Sequence, residues 1–323
     1  MKKISIIVPC YNEHETIEIF YNEVIKHLDD KNEYKIIFVN DGSNDNSLEI
    51  MQNLAKLDER VLYVSFSRNF GKEAALYAGL EAAKIIDSDC CIQMDVDLQD
   101  PPYLIPELIK KHDEGFNLVI TRQKNRKGQG LLGKLFSLGF YKVFAFVTKD
   151  KKMAAGARDY CLMDRKVLDA FLKIRDYERF TKGIYNYIGF RTTFIEFEYQ
   201  SRVAGETKWN FRKLFKYACV GLREFSRLYE YIPKIIAWLF TFLFFFDTGY
   251  GIYHAIHYDH NFFDYDCTYW SHIRFDLAMI LIFIVLFYIF RLLYEIRFQA
   301  QHRPIYICED TNIEKIQKKK EEN

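Results

Sequence analysis

The sequence lacks the glycine and cysteine spacings that mark several common classes of enzyme. No Gly-x-Gly-x-x-Gly follows the first apolar run, so the dinucleotide fingerprint of oxidoreductases is missing, and a Walker A lysine loop is missing too. The seven cysteines are scattered without a Cys-x-x-Cys pair, so we expect reduced thiols and neither a disulfide framework nor a zinc site. The formal net charge of only +1 argues against binding to nucleic acid.

An apolar leader is also missing from the start of the chain. A strand-like run begins at Ile4, without the apolar segment of about 7–15 residues that a signal peptide contains. We therefore expect the N-terminal part of the protein to stay in the cytoplasm.

Apolar runs alternate with helical patterns through the N-terminal third of the chain. The runs lie at 4–8, 35–39, 61–66, 90–94 and 118–121, and the helical patterns at 12–29, 48–57, 71–84 and 104–114. This alternation predicts an α/β fold with a parallel sheet that helices cover on both faces. The connections between its strands should be right-handed.

Polar clusters follow three of these strands, at the edge where open α/β sheets bind ligands. They are Pro9-Cys10-Tyr11-Asn12-Glu13, Asn40-Asp41-Gly42-Ser43 and Asp95-Val96-Asp97. Two carboxylates one residue apart suit Mg²⁺ or Mn²⁺ that also grips substrate phosphates. The alternatives are solvated turn residues for Asp95 and Asp97, and an Asx turn for Asp41. Asp100, before Pro101, is predicted to cap the next helix.

The C-terminal third contains two long apolar blocks, Ile235–Phe246 and Leu277–Phe290. Extended to about 235–256 and 275–294, each is long enough as a helix to cross a hydrocarbon core of roughly 30 Å. Cationic residues flank the pair on both outer sides, so we expect both termini in the cytoplasm and a short outward loop between the helices. Before them, 211–229 has an amphipathic pattern with a basic face, which predicts either a helix in the headgroup layer or one packed on the soluble domain.

The polar clusters resemble those of family 2 glycosyltransferases with a GT-A (Rossmann-like) fold. The longer string Asp95–Pro102 is similar to that of the polyisoprenyl-phosphate group, which includes dolichol-phosphate mannose synthase and bacterial undecaprenyl-phosphate (bactoprenol) sugar transferases. Ser67–Glu73, Gly156–Met163 and Arg202–Trp209 match the same group, and the resemblance extends in order to about residue 300. One departure is Cys161, where that group usually has arginine.

The resemblance implies a role for each matching residue. Pro9, Tyr11, Glu13 and Asp41 would line the nucleotide pocket, and Lys72, in the Ser67–Glu73 match, would bind substrate. Asp95, Asp97 and Gln99 would hold or surround Mg²⁺ or Mn²⁺, with Asp97 also counted as catalytic. Arg202 and Lys208 would engage phosphates. Asp159 would lie near the reacting centre, where it positions the acceptor or acts as a base; the alternative is a structural aspartate paired with Arg158 or Arg165.

The implied reaction is an inverting, metal-dependent transfer of a hexose or N-acetylhexosamine from a nucleotide sugar, with UDP favoured, to polyprenyl phosphate. The sequence divides into a GT-A domain (1–209), a juxtamembrane amphipathic helix (210–231), two transmembrane helices (232–296) and a cytoplasmic tail (297–323). This predicts a multi-pass protein of the inner membrane that contacts membrane lipids, with the catalytic domain in the cytoplasm and a homo-oligomeric state such as a tetramer. The alternatives are a different acceptor, a processive polysaccharide synthase, a nucleotidyltransferase or a non-catalytic membrane adaptor.

Overall fold

A computed structural model of the protein describes residues 1–123, 157–175, 179, 181–198 and 304–314, with single residues and short helical stretches between 253 and 300. The strands are β1 (Lys3–Cys10), β2 (Glu33–Asn40), β3 (Val61–Phe66), β4 (Cys90–Gln93), β5 (Leu118–Gln123), β6 (Ala157–Asp164), β7 (Thr192–Phe197) and β8 (Cys308–Thr311). The helices of the same domain are α1 (Ile17–Val24), α2 (Ser47–Leu57), α3 (Lys72–Ile85), α4 (Ile105–Asp113), α5 (Arg165–Lys173) and α6 (Thr181–Ile188).

The described strands form one sheet in the order β7-β5-β6-β4-β1-β2-β3-β8. The five strands and four helices expected in the N-terminal part are all present. The five predicted strands, β1–β5, run parallel to one another as expected, but the sheet as a whole is not parallel, because β6 runs antiparallel between β4 and β5 and β8 runs antiparallel to β3. The alternating pattern ends at β5, so it carried no information on a strand inserted later between β4 and β5. The sheet is therefore mixed.

Helices cover both faces of the sheet, as predicted, because the central strands are apolar on both sides. In β1, Ile6 and Val8 pack with helices α1, α2 and α4, whereas Ile7 packs with α3, α5 and α6. All three side chains are fully buried. Each such side chain contributes about 1.5–3 kcal/mol through burial alone, which explains why strands of this kind appear in the sequence as short, nearly continuous apolar runs.

Helix α3 approaches β1 closely at Gly79. A methyl group at this position would lie 2.3 Å from Cγ2 of Ile7, so only glycine allows the present spacing. The helix runs from there back to its first residue, Lys72. The close contact fixes the helix against the central strand and thereby fixes where Lys72 lies at the carboxyl edge of the sheet.

The edge strand β8 comes from the C-terminal part of the chain. Its residues Asp310 and Thr311 pair with Ser65 and Val64 of β3. Just before it, the ring of Tyr306 stacks on Phe66 with centroids 4.9 Å apart. The predicted tail, 297–323, contains this strand of the sheet, whose four residues, Cys-Glu-Asp-Thr, have no apolar pattern.

Residues 226–303 form a second compact unit. All of the predicted juxtamembrane helix, 210–231, and most of the first predicted span, 235–256, lie outside the described residues, as do parts of the second span, 275–294. Where the chain is described, it contains no helix with the length and apolar character needed to cross a bilayer. Such a crossing takes about 20 apolar residues in one helix. The predicted localisation as a multi-pass inner-membrane protein is therefore wrong on the described residues.

Candidate functional site

The loops after β1 and β2 are joined by hydrogen bonds between their backbones and small polar side chains. The backbone N–H of Asn12 donates to Oγ of Ser43 at 2.9 Å, and the N–H of Asn44 donates to Oδ1 of Asn12 at 2.9 Å. The N–H of Glu13 donates to Oγ of Ser47 at 2.9 Å. The predicted nucleotide-pocket residues Tyr11 and Glu13 thus belong to a loop that is held against the Asp41 loop, whereas Pro9 lies within β1, opposite Val39 of β2.

Asp41 organises the segment that leads into helix α3. Its carboxylate accepts hydrogen bonds from the backbone N–H groups of Phe70 (2.7 Å) and Gly71 (2.9 Å) and from Nδ2 of Asn69 (3.0 Å). The residue is only 3% exposed, and this burial raises its pKa to about 6, although the two backbone donors favour the ionised form. Asp41 therefore fixes the backbone of residues 69–71 directly.

Gly42 of the Asp-Gly-Ser motif occupies a position where neither the backbone conformation nor the space around it suits a side chain. Its φ is +63°, and a Cβ there would lie 2.3 Å from the carbonyl carbon of Arg68 and 2.6 Å from the backbone nitrogen of Asn69. The two loops can meet at Asp41 only because this position has no side chain.

We expect Gly42→Ala to lower the free energy of unfolding by more than the strain of a left-handed alanine alone, about 1–3 kcal/mol, because the added methyl group also collides with backbone. Gly189→Ala is the matched control, since its φ is +67° and the nearest atom to the added methyl group is 4.0 Å away. Urea denaturation of both variants measures the difference. Equal losses would mean that the contact with residues 68–69 adds nothing.

Lys72 joins two of the predicted site carboxylates. Its ammonium lies 2.7 Å from Oδ1 and 2.9 Å from Oδ2 of Asp95, and 3.1 Å from Oδ2 of Asp159. The three side chains remain 28%, 29% and 25% exposed, so they face an open edge of the sheet. Burial works to lower the pKa of Lys72, but the two carboxylates outweigh it and hold the pKa above its ordinary value. Asp159 is thus paired with Lys72, whereas Arg165 pairs with Asp87 and Asp169.

Asp97 and Gln99 lie in the turn that follows Asp95. Oδ1 of Asp97 accepts the backbone N–H of Gln99 at 3.1 Å, and Asp97 is 7% exposed. Among the described residues, no group of three or more His, Cys, Asp or Glu side chains is arranged to hold a metal ion. A pair of carboxylates is still a suitable donor set for Mg²⁺, which keeps several waters and takes further oxygens from substrate phosphates. In this structure the ammonium of Lys72 is the cation in contact with Asp95.

An ion pair between a buried carboxylate, Asp100, and a guanidinium that is 26% exposed, Arg158, was not expected from the sequence. Asp100 is 1% exposed, and its Oδ1 lies 3.2 Å from both Nε and Nη2 of Arg158. Its Oδ2 accepts the backbone N–H of Asp95 at 3.1 Å. The predicted role of Asp100 as a helix cap is wrong: a 3₁₀ turn, Pro102–Leu104, comes first, and its N-cap position is Pro101, with no side-chain capping hydrogen bond. The pair links the loop after β4 to β6, next to Asp159.

Cys161, the departure from the family pattern, is fully buried in β6. Its Sγ lies 3.2 Å from the hydroxyl of Tyr185, which donates to Oε1 of Gln93 at 2.7 Å. Burial raises the pKa of the thiol to about 12, so Cys161 is neutral at physiological pH. In the part of the chain that the structure describes, Lys72 supplies a cation to Asp159 and Arg158 supplies one to Asp100.

The structure therefore places Lys72 in direct contact with both Asp95 and Asp159. The carboxylate of Asp41 holds Gly71, the residue immediately before Lys72. Asp97 and Gln99 occupy the same turn as Asp95. Arg202 and Lys208, the predicted phosphate ligands, lie outside the described residues. The sequence did contain one signal for this ion pair, which is a third aspartate, Asp100, close to Asp95 and Asp97. If such an aspartate is buried, it needs a cation beside it, because burying an unpaired charge is costly.

Comparison with known proteins identifies the chain's relatives. The family model for glycosyl transferase family 2 matches residues 5–172. An uncharacterized glycosyltransferase of Synechocystis is 37% identical over 242 residues, which cover 73% of this chain and 75% of that protein. A prophage bactoprenol glucosyl transferase homolog of Escherichia coli is 38% identical over 240 residues, covering 73% and 77%.

Among solved structures, glucosyl-3-phosphoglycerate synthase from Mycobacterium tuberculosis in complex with Mn²⁺, UDP-glucose and glycerol 3-phosphate is 18% identical, with a TM-score of 0.48 over 69% of this chain and 80% of that one. The mixed α/β sheet described above is GT-A-like. Since the family model matches more than half of the sequence and relatives share well over 30% identity, the chain belongs to glycosyl transferase family 2.

Proposed function

We propose that this glycosyltransferase moves a hexose or N-acetylhexosamine from a nucleotide sugar, with UDP favoured, to polyprenyl phosphate, with inversion at the anomeric carbon and with Mg²⁺ or Mn²⁺. The observation that carries the proposal is the convergence of Asp95, Asp159 and Lys72 at the carboxyl edge of the sheet, beside the Asp41 loop. The acceptor is supported by relatives that are named bactoprenol glucosyl transferases.

The donor would lie across the loops after β1, β2 and β4. Pro9, Tyr11 and Glu13 would line the nucleotide pocket together with the segment that Asp41 fixes. Asp95 and Asp97 would hold the metal, with Gln99 beside them. A bound divalent cation would neutralise the diphosphate and so stabilise the charge that develops as the glycosidic bond breaks.

The acceptor determines how much base catalysis the site must supply. A phosphate monoester with a second pKa near 6 is largely dianionic at neutral pH, so its oxygen can attack without first losing a proton. That oxygen forms a bond to the anomeric carbon while the bond from this carbon to the diphosphate breaks, and the nucleoside diphosphate leaves with the electron pair. Asp159, held by Lys72 at 3.1 Å, would then orient charges around the acceptor and would not serve as a strong base.

Three further parts of the proposal concern residues beyond this cluster. Arg202 and Lys208 would engage phosphate, Arg202 through a planar fork and Lys208 as a point charge. A boundary near residue 209 would separate the catalytic domain from the C-terminal third of the chain. Self-association into a homo-oligomer such as a tetramer stays a prediction that gel filtration with light scattering would measure.

The direct test incubates the purified full chain with radiolabelled nucleotide sugars and detergent-dispersed undecaprenyl phosphate. We expect solvent-extractable labelled product from at least one donor, its loss in EDTA and its recovery on adding Mg²⁺ or Mn²⁺. Undecaprenol without its phosphate is the matched control and should accept nothing. If no donor gives product, the proposed acceptor is wrong, and if EDTA has no effect, the metal has no role.

A further inference from the structure

The ammonium of Lys72 occupies a position that suits the divalent cation of the proposed reaction. It contacts both oxygens of Asp95, at 2.7 and 2.9 Å, and one oxygen of Asp159, at 3.1 Å. An ammonium held by two carboxylates in this way neutralises one of the two negative charges that would attract Mg²⁺ or Mn²⁺. Both oxygens of Asp95 are in contact with the ammonium, so a metal bound to either oxygen would lie close to this like charge.

We propose that Lys72 is a built-in competitor of the divalent cation, which holds Asp95 and Asp159 in the free enzyme and releases Asp95 when metal and nucleoside diphosphate bind together. This inference rests on the proposed function. It concerns a positioning role of Lys72 through these two carboxylates, and it predicts a property of the free protein that can be measured without turnover.

Two features of the fold make this exchange possible. Lys72 is the first residue of α3, and a lysine stem with four rotatable carbons lets the ammonium swing while the helix stays fixed on β1 at Gly79. The site is also partly open, since Lys72 is 28% exposed, so an anionic oxygen of an entering diphosphate can reach the ammonium. A released ammonium then gains a new anionic partner only when the nucleotide is present.

This arrangement predicts strong mutual dependence between metal and nucleotide. Metal alone must displace an ammonium and leave it near a dication, an arrangement that electrostatic repulsion disfavours. When UDP binds together with the metal, its phosphate oxygens provide a new anionic partner for that ammonium. Wild-type protein should therefore bind Mn²⁺ weakly alone and much more tightly with UDP, and the reciprocal effect of Mn²⁺ on UDP affinity must be equal.

The test measures Mn²⁺ affinity by electron paramagnetic resonance of the full chain, with and without UDP. We expect Lys72→Met to bind Mn²⁺ alone at least about tenfold more tightly than wild type, and to show a smaller gain from UDP. Lys72→Arg keeps a cation and should stay within about threefold of wild type. Lys84→Met removes a lysine from the same helix, where it pairs with Asp169, and should change neither affinity.

The possible results separate this inference from the function on which it rests. Equal or weaker Mn²⁺ binding by Lys72→Met, with folding intact by circular dichroism, would overturn the competitor role and leave the metal site in place. If neither wild type nor Lys72→Met binds Mn²⁺ even with UDP, the metal requirement of the proposed function is wrong. Should Lys72→Met fail to fold, Lys72→Gln, which keeps a polar group on the carboxylates, provides the same comparison.

Discussion

Replacing Asp97 by asparagine is expected to lower kcat by about 10²–10³-fold, the scale seen when one preorganised electrostatic contact to a developing charge is removed. The fold should survive, because the amide oxygen of asparagine can accept the Gln99 N–H that Oδ1 of Asp97 now accepts at 3.1 Å. What is lost is the negative charge on the metal. Transfer assays at saturating donor, together with Mn²⁺ titration, would measure both effects.

Asp87→Asn is the matched control for this variant. Asp87 lies before strand β4, whereas Asp97 follows it, and its side chain is 78% exposed. Its φ of 62° is a conformation that asparagine also adopts, so the substitution should change neither kcat nor Mn²⁺ affinity. A kcat within tenfold of wild type for Asp97→Asn would remove Asp97 from the metal site.

Replacing Arg158 by methionine is expected to lower the free energy of unfolding by about 3–5 kcal/mol at pH 8, because it leaves the carboxylate of Asp100 buried without its cation. Burial raises the pKa of Asp100 to about 6, while the charge of Arg158 lowers it, so the variant's pKa should be higher still. A carboxyl of this kind stabilises fully below its ordinary pKa of 3.8 and loses that contribution as pH rises through the folded value. The variant's deficit should therefore shrink at pH 5, which urea denaturation at both pH values would show.

Lys111→Met is the control for removing a cation from an ion pair. Lys111 and Glu114 are 2.8 Å apart and are 33% and 40% exposed, and such surface pairs contribute about 0.2–1 kcal/mol. Its deficit should be small at both pH values. A loss below about 1 kcal/mol for Arg158→Met at pH 8, or a deficit that grows toward pH 5, would show that the buried pair is not what stabilises this part of the site.

The strands that could be predicted are those with both faces buried. In β1 and β2 almost every residue enters one core or the other, which leaves a nearly unbroken apolar run in the sequence. Strand β6 begins with Ala-Arg-Asp and β8 is only Cys-Glu-Asp-Thr, so neither has such a run. These two strands make the sheet mixed, so the fold class and the parallel direction of β1–β5 were predictable, whereas the two antiparallel strands were not.

The residues of the candidate site likewise fall into those that the sequence predicts and those that it does not. Carboxylates that follow strands could be found by position alone, which identified Asp41, Asp95 and Asp97. Their partners could not, because contacts between distant segments leave no local pattern: Arg158 meets Asp100 across 58 residues of chain, and Lys72 meets Asp159 across 87. The resemblance to a family identified Lys72 and Asp159 as site residues, but not that they touch.

The pairing of β8 with β3 affects how the protein folds while it is being made. Tyr63 and Asp310, which are hydrogen-bonded, lie 247 residues apart in the chain. At about 5–20 residues per second, roughly 10–50 s of translation separate the emergence of one from the other. Throughout that interval β3 has an open edge of the kind that pairs readily with other chains. The Ser67 N–H, which donates to Ile307 at 3.2 Å, is also without that acceptor. The nascent protein should therefore depend on chaperone protection at this edge until its last strand emerges.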